Sequence, residues 1–220
     1  MLNCVVVDID DTVLDTTMRM QAIWRELLGR EVPAEAVETM GLRKIFEEYA
    51  TPQQMENVRE HQTRFFRLLL CEEEPGFDFA QLDEAIPYAA DTVNAWAIHS
   101  HIVYLTGRTE NTRSHTLESL RMHGFPSEDA EMFMVSAEDW HSGRAADARR
   151  ALLSDLVDRC NVVRVVDDYP GYFPMYAEAG IPDRVGFLRP MHTQAAYMDK
   201  GATRVVGGWR ELFDEVTSST

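Results

Sequence analysis

The chain has 220 residues, 45% of them hydrophobic, enough to bury a core domain carrying an insertion or a smaller second domain. Its formal net charge of −16 speaks against a nucleic-acid groove or a face for anionic membranes, since both select basic patches. No apolar stretch approaches the roughly 20 residues needed to span a bilayer.

The first element is a strand over Cys4–Val7, whose β-branched run reads as buried on both faces. It ends in Asp8, Asp10 and Asp11, three acids within four positions. Crowded carboxylates at a strand tip repel one another, and a hard divalent cation such as Mg²⁺ neutralises them best. No apolar leader precedes this strand. Cys4, Cys71 and Cys160 are odd in number and far apart, and they read as free thiols of a reducing compartment, so a cytoplasmic protein is expected.

From about Thr16 to Ile86 the pattern turns helical. Met20, Ile23, Trp24, Leu27 and Leu28 follow the spacing of one helix face, and Val58, Phe65, Phe66 and Leu68–Leu70 form the apolar side of another. Gly29, Pro33, Gly41, Pro52 and the Glu72–Pro75–Gly76 segment punctuate the stretch. Because it begins at the acidic loop, it is expected to be a helical cap that excludes water and selects substrate.

Strands are then expected over His101–Leu105 and Val162–Val166, with a short one over Glu131–Val135. Between them lie a helix over Thr112–His123, closed by Gly124 as its C′ residue, and another over about Ala145–Val157. The tail Thr217–Thr220 is expected to fray. Strands alternating with helices predict an α/β fold: a Rossmann-like parallel sheet with helices on both faces, plus the α-helical cap. The expected division is a core of residues 1–15 and 87–220 and a cap of residues 16–86. Parallel strands place their carboxyl ends on one edge, so Asp8–Asp11, Thr106–Gly107–Arg108 and Asp167–Asp168 should converge in one crevice. There a carboxylate at Asp8 can attack phosphorus, while Asp10 can move protons to and from the leaving and attacking oxygens.

The string Val5-Val-Val-Asp8-Ile-Asp10-Asp11-Thr12-Val-Leu-Asp15-Thr16 resembles the first signature of the haloacid dehalogenase-like (HAD) hydrolase superfamily. Tyr104-Leu-Thr106-Gly107-Arg108 is similar to the second, and Val165-Val-Asp167-Asp168 to the fourth, in the same order along the chain. The resemblance implies a phosphoric monoester phosphatase with Asp8 as nucleophile and Asp10 as general acid/base. It implies Mg²⁺ held by Asp8, the Asp10 carbonyl and an acid of the Asp167/Asp168 pair. Thr106 and the Gly107 amide would hold phosphoryl oxygens. An Asp at position 10 favours a phosphatase over the transport ATPases, the phosphonate-cleaving branch and the dehalogenases.

The lysine of the third signature is missing, since Lys44 and Lys200 both lie elsewhere. Arg149 and Arg150 are ranked first as replacements because each shares a helix face with leucines, and Arg144 ranks below them. Arg108 is taken as a phosphate contact, its competing role being an ion pair with Glu110 or with an acid of the first loop. The run after it resembles polynucleotide-kinase phosphatase domains, but the insertion and the −16 charge weigh against a polynucleotide. The expected partner is a small phosphorylated metabolite or nucleotide. Phosphotransfer to an alcohol and non-catalytic phosphate binding are the alternatives. His99, His101, His141 and the Tyr169–Tyr176 aromatics are read as packing or surface groups rather than ligands.

Overall fold

The computed structural model describes residues 2–73, 79–128 and 130–218, with the side chains of residues 79 and 80 set aside. Pro75, Gly76 and the last two residues of the tail, all singled out above, lie outside that range. Chain order is β1 (Asn3–Val7), β2 (Leu14–Asp15), α1 (Thr17–Leu28), α2 (Ala34–Thr39), α3 (Leu42–Tyr49), α4 (Pro52–Glu56), α5 (Val58–Leu69), α6 (Phe79–Leu82) and β3 (Glu84–Ala85). It continues through α7 (Ala89–Ala97), β4 (His101–Thr109), α8 (Arg113–Met122), β5 (Glu131–Val135), α9 (Ala137–His141), α10 (Ala145–Arg159) and β6 (Asn161–Asp167). The last elements are α11 (Phe173–Glu178), β7 (Asp183–Phe187), α12 (Gln194–Met198), β8 (Arg204–Val206) and α13 (Trp209–Ser218).

Six strands form one parallel sheet in the order β5-β4-β1-β6-β7-β8. Counted along the chain within the sheet this is 3-2-1-4-5-6, the doubly wound order with its switch point beside the first strand. The β-branched run of β1 alternates sides, as period two requires. Val5 and Val7 enter a core with Val93, Trp96 and Trp209. Cys4 and Val6 enter the opposite core with Leu153, Leu156 and Phe173. Helices therefore cover both faces, and β1 is buried on each. Cys4 and Cys160 are buried free thiols. Among the described residues no helix is long and apolar enough to cross a membrane.

The segment between β2 and β3 packs a third core of its own around Ile23, Trp24, Leu27, Phe46, Phe65 and Leu68. Trp24 meets Phe46 edge-on at 5.1 Å between ring centroids. The two crossings into and out of this segment, Leu14–Asp15 and Glu84–Ala85, pair antiparallel in a two-stranded ribbon that the helical pattern did not announce. Strands β7 and β8 were also not expected. Both are short, and Asp183, Arg184 and Arg204 break their apolar pattern.

Candidate active site

The acidic loop is shaped by backbone bonds onto one carbonyl. The amides of Val13 and Leu14 donate to the Ile9 oxygen at 3.0 and 3.1 Å, and Asp11 takes a left-handed conformation at φ 57°. An Asp tolerates that conformation at a turn better than most residues. Asp8, directly after β1, still donates its amide to Val166 of β6 at 3.0 Å. Its side chain therefore stands at the sheet's carboxyl edge between β4 and β6. Asp167 ends β6, and Asp168 follows it.

Carboxylate oxygens of Asp8, Asp167 and Asp168 lie within 4.8 Å of one another. Burial pushes the Asp8 carboxyl well above its ordinary value, and the Asp167 charge adds to the effect against the pull of Arg149. Asp168 is raised as well, by burial and then by Asp8 and Asp167. The cluster is thus short of positive charge even with an arginine beside it. An all-oxygen, largely buried and under-compensated donor set is what a hard divalent cation such as Mg²⁺ fits.

Arg149 is 1% exposed and is the nearest cation. Nη1 and Nη2 each donate to Asp8 Oδ1 at 3.2 Å, and Nη2 also reaches Asp167 Oδ2 at 2.6 Å and the Tyr176 hydroxyl at 2.9 Å. Its guanidinium lies 4.2 Å from the centroid of the Tyr172 ring. Tyr176 donates to Asp167 Oδ2 at 2.6 Å, and the Tyr169 amide donates to Asp167 Oδ1 at 2.8 Å. Both oxygens of Asp167 are therefore occupied. Asp168 has looser partners: Thr12 Oγ1 lies 3.5 Å from its Oδ1. Thr12 joins the two strand ends, since Oγ1 donates to Asp8 Oδ2 at 3.2 Å and accepts from the Asp168 amide at 3.1 Å.

Arg150, paired with Arg149 in the expected phosphate site, is not brought there. One helical position rotates a side chain by roughly 100°, and Arg150 runs along Leu153 and Val157 to the surface, where it meets Glu178. Arg144 is also outside, on Glu138 and Asp139.

Thr106, Gly107 and Arg108 occupy an irregular stretch of β4. Leu105 pairs with Phe133 and Thr109 with Val135, so β4 holds two extra residues there. Such a bulge frees side chains from the pleat and re-aims them. Thr106 is buried, and its Oγ1 accepts the Arg108 amide at 3.1 Å. A side chain on Gly107 would meet open space, and its backbone lines a small cavity beside Asp10. Arg108 takes the competing role named above and pairs with an acid of the first loop. Nη2 and Nε donate to Asp10 Oδ1 at 2.6 and 3.0 Å, and Nη2 also donates to Asp83 at 2.7 Å. Arg19 of α1 completes a ring, reaching Asp10 at 2.6 Å and Asp83 at 2.8 Å. Burial opposes charge on Asp10, but the two guanidiniums outweigh it and hold the carboxyl below its ordinary range.

Site neighbours that residue patterns left unmarked are Thr12, Tyr172, Tyr176, Arg19 and Asp83. Thr12 had a signal, since it sits inside the acidic string. The tyrosines were read as packing, and nothing local distinguishes Arg19 from other helix charges.

Solved structures share this architecture. A haloacid dehalogenase-like family hydrolase from Streptococcus pneumoniae superposes with a TM-score of 0.60 at 14% identity, over 97% of this chain and 98% of its own. The chain has the HAD-like hydrolase fold. A HAD family hydrolase from Deinococcus radiodurans R1, solved with bound phosphate and sodium, aligns over 98% of this chain and 95% of its own, with a TM-score of 0.57 and 19% identity. A HAD-superfamily hydrolase of subfamily IA, variant 1, from Geobacter sulfurreducens PCA gives a TM-score of 0.57 at 14% identity, over 98% and 96% of the two chains. No protein-family model and no curated protein sequence matches the chain.

Proposed function

We propose that this chain is a HAD-type phosphatase that hydrolyses a small phosphate monoester, with Asp8 as nucleophile and Mg²⁺ as cofactor. The observation that carries the reading is the convergence, at one sheet edge, of two buried carboxylates, a half-buried third and one buried guanidinium from separate parts of the chain. Phosphoryl transfer needs positioned donors and positive charge around the phosphoryl oxygens more than further covalent chemistry.

Asp8, Asp168 and the Asp10 carbonyl would hold Mg²⁺, which would supply positive charge to the phosphoryl oxygens. Asp168 is preferred over Asp167 as the direct ligand because Arg149, Tyr176 and the Tyr169 amide already take both Asp167 oxygens. Arg149 would stand where the family has lysine, countering the charge of Asp8. An Asp8 oxygen attacks phosphorus and the ester oxygen leaves with a proton. Water then attacks the aspartyl-phosphate, releasing inorganic phosphate and the Asp8 carboxylate. Thr106 and the Gly107 amide would donate to the phosphoryl oxygens. Asp10 would carry the proton in both half-reactions. As it lies, it is held ionised by Arg19 and Arg108, which disfavour its taking up a proton, so it must leave them to carry one.

Residues 16–86 are read as the cap of this enzyme, hinged at the β2–β3 ribbon. The test is hydrolysis of a panel of phosphate monoesters with and without Mg²⁺, comparing the chain with Asp8→Asn. Metal-dependent release of phosphate that falls at least a thousandfold in Asp8→Asn is expected. Undiminished turnover by purified Asp8→Asn would overturn the assignment.

A further inference from the structure

Two cavities open from the acidic edge toward the helical segment. The nearer, about 200 Å³, is lined by Asp168, Tyr169, Arg189 and His192. The farther, about 360 Å³, lies among α1, α3 and α5, with Met20, Met40, Leu42 and Phe66 in its wall. They share Asp11, Val37 and Met191, so the two cavities are neighbours. An apolar chamber of a size that takes a small organic group thus adjoins a cavity whose wall includes Asp168 of the carboxylate cluster.

The wall offers a ligand almost no hydrogen bonding. Asp11 is its only charged member among the described residues, and Asp11 Oδ1 is already engaged by the Thr16 amide at 3.2 Å and hydroxyl at 2.9 Å. Trp24 Nε1 is sealed from solvent and makes no hydrogen bond. Sugar hydroxyls or a nucleobase placed here would give up water without gaining partners, which is costly. Met20, Val37, Met40, Leu42, Phe66 and Leu69 are only partly buried although they pack on the segment's core. A hydrocarbon group would cover them and gain free energy in proportion to the area removed from water.

We propose that the substrate is the phosphate monoester of an apolar alcohol, its phosphoryl group at Asp8 and its hydrocarbon part in this chamber. The proposal rests on the phosphatase reading above and specifies its leaving group. It names a class of alcohol, aliphatic or aromatic, and disfavours the sugar phosphates and nucleotides that the residue patterns left open.

The test has two arms on the full chain with Mg²⁺. In the first, binding of methyl-, butyl-, hexyl- and octylphosphonate, which cannot be hydrolysed, is measured by calorimetry. Affinity should rise roughly fourfold per methylene until the chamber is filled. In the second, kcat/KM is measured for the matching alkyl phosphates and for glucose 6-phosphate and AMP, and it should rise with chain length and exceed both polar esters at octyl. Met40→Asp and Met191→Asp place a charge in the wall at partly exposed positions, and each should flatten the chain-length dependence in both arms. Affinity and kcat/KM independent of chain length, or slopes unchanged in both variants, would overturn the proposal while hydrolysis itself would uphold the phosphatase reading. Chain-length-dependent phosphonate binding without turnover of any ester would support the chamber's assignment and overturn the hydrolytic one.

Discussion

Arg149 shows how much of this site depends on a single side chain. It touches Asp8, Asp167 and Tyr176 at once, and it is fully buried beneath the sheet edge. Removing one member of a buried ion pair leaves the other charge uncompensated, at a cost of about 3–5 kcal/mol. Arg149→Met is therefore expected to lower stability by about that amount, read from urea unfolding, and to abolish phosphate release. Arg149→Lys should recover part of the stability, because an ammonium supplies charge without the planar fork that spans two carboxylates. Equal stability of all three proteins would show that Asp8 and Asp167 do not need this cation. Asp10 presents a different balance. Its half-exposed carboxylate closes a ring with the buried Arg19, Asp83 and Arg108, so its position is set by residues near both ends of the helical segment.

At the scale of elements, helix α8 ends as its residues dictate. Gly124 has φ 75°, its amide donates to Arg121, and the Phe125 amide reaches back to Leu120. This is a Schellman closure, and Leu120 and Phe125 complete it in the same buried core. A β-branched residue at that φ is strained by roughly 1–2 kcal/mol. Gly124→Val should lose about that much in denaturant midpoint analysis, and Gly124→Asn less. The edge of the sheet supplies a second test. Asp183 of β7 accepts from Arg164 of β6 at 2.6 Å and from Arg204 of β8 at 3.1 Å. Burial opposes its charge, but the hydrogen bonds from Arg204 and Arg164 outweigh it and hold the carboxyl below its ordinary range. A depressed carboxyl stabilises the fold above its unfolded value, about 4, and loses that contribution as pH falls through the folded one. The stability gap between the chain and Asp183→Asn should thus be present at pH 7 and close below about pH 4. A gap unchanged at pH 3 would assign it to packing rather than charge.

For the molecule as a whole, 37 acidic residues face 21 lysines and arginines, and the net charge of −16 opposes compaction. Raising NaCl from 0.01 to 0.15 M shortens the Debye length from roughly 30 to 8 Å. The thermal midpoint should rise over that range, and a fall would mean that surface ion pairs outweigh the net repulsion. The helical segment rests on the core through Phe66 and Trp140, with ring centroids 4.7 Å apart, and through Asn111, which donates to the Leu70 carbonyl at 2.6 Å. These contacts join residues far apart in the chain, and no periodicity within either partner announces them.

What the residues determine by themselves is local. The β-branched run before Asp8, the acids at Asp167 and Asp168, and the glycine after α8 each act through chain neighbours, so strand, acidic tip and helix end could be read directly. Parallel connection then brings the tips together by topology alone. What tertiary structure decided is direction and company. Arg149 and Arg150 differ by one helical step, yet one enters the acidic cluster and the other meets solvent and Glu178. Arg108 turned from an expected phosphate contact to Asp10 and Asp83, because Asp83 and Arg19 arrive through the helical segment and make a charged ring that no single stretch of sequence contains. Charge partners inside a fold are chosen by which desolvated groups meet, and that choice exists only once the chain has packed.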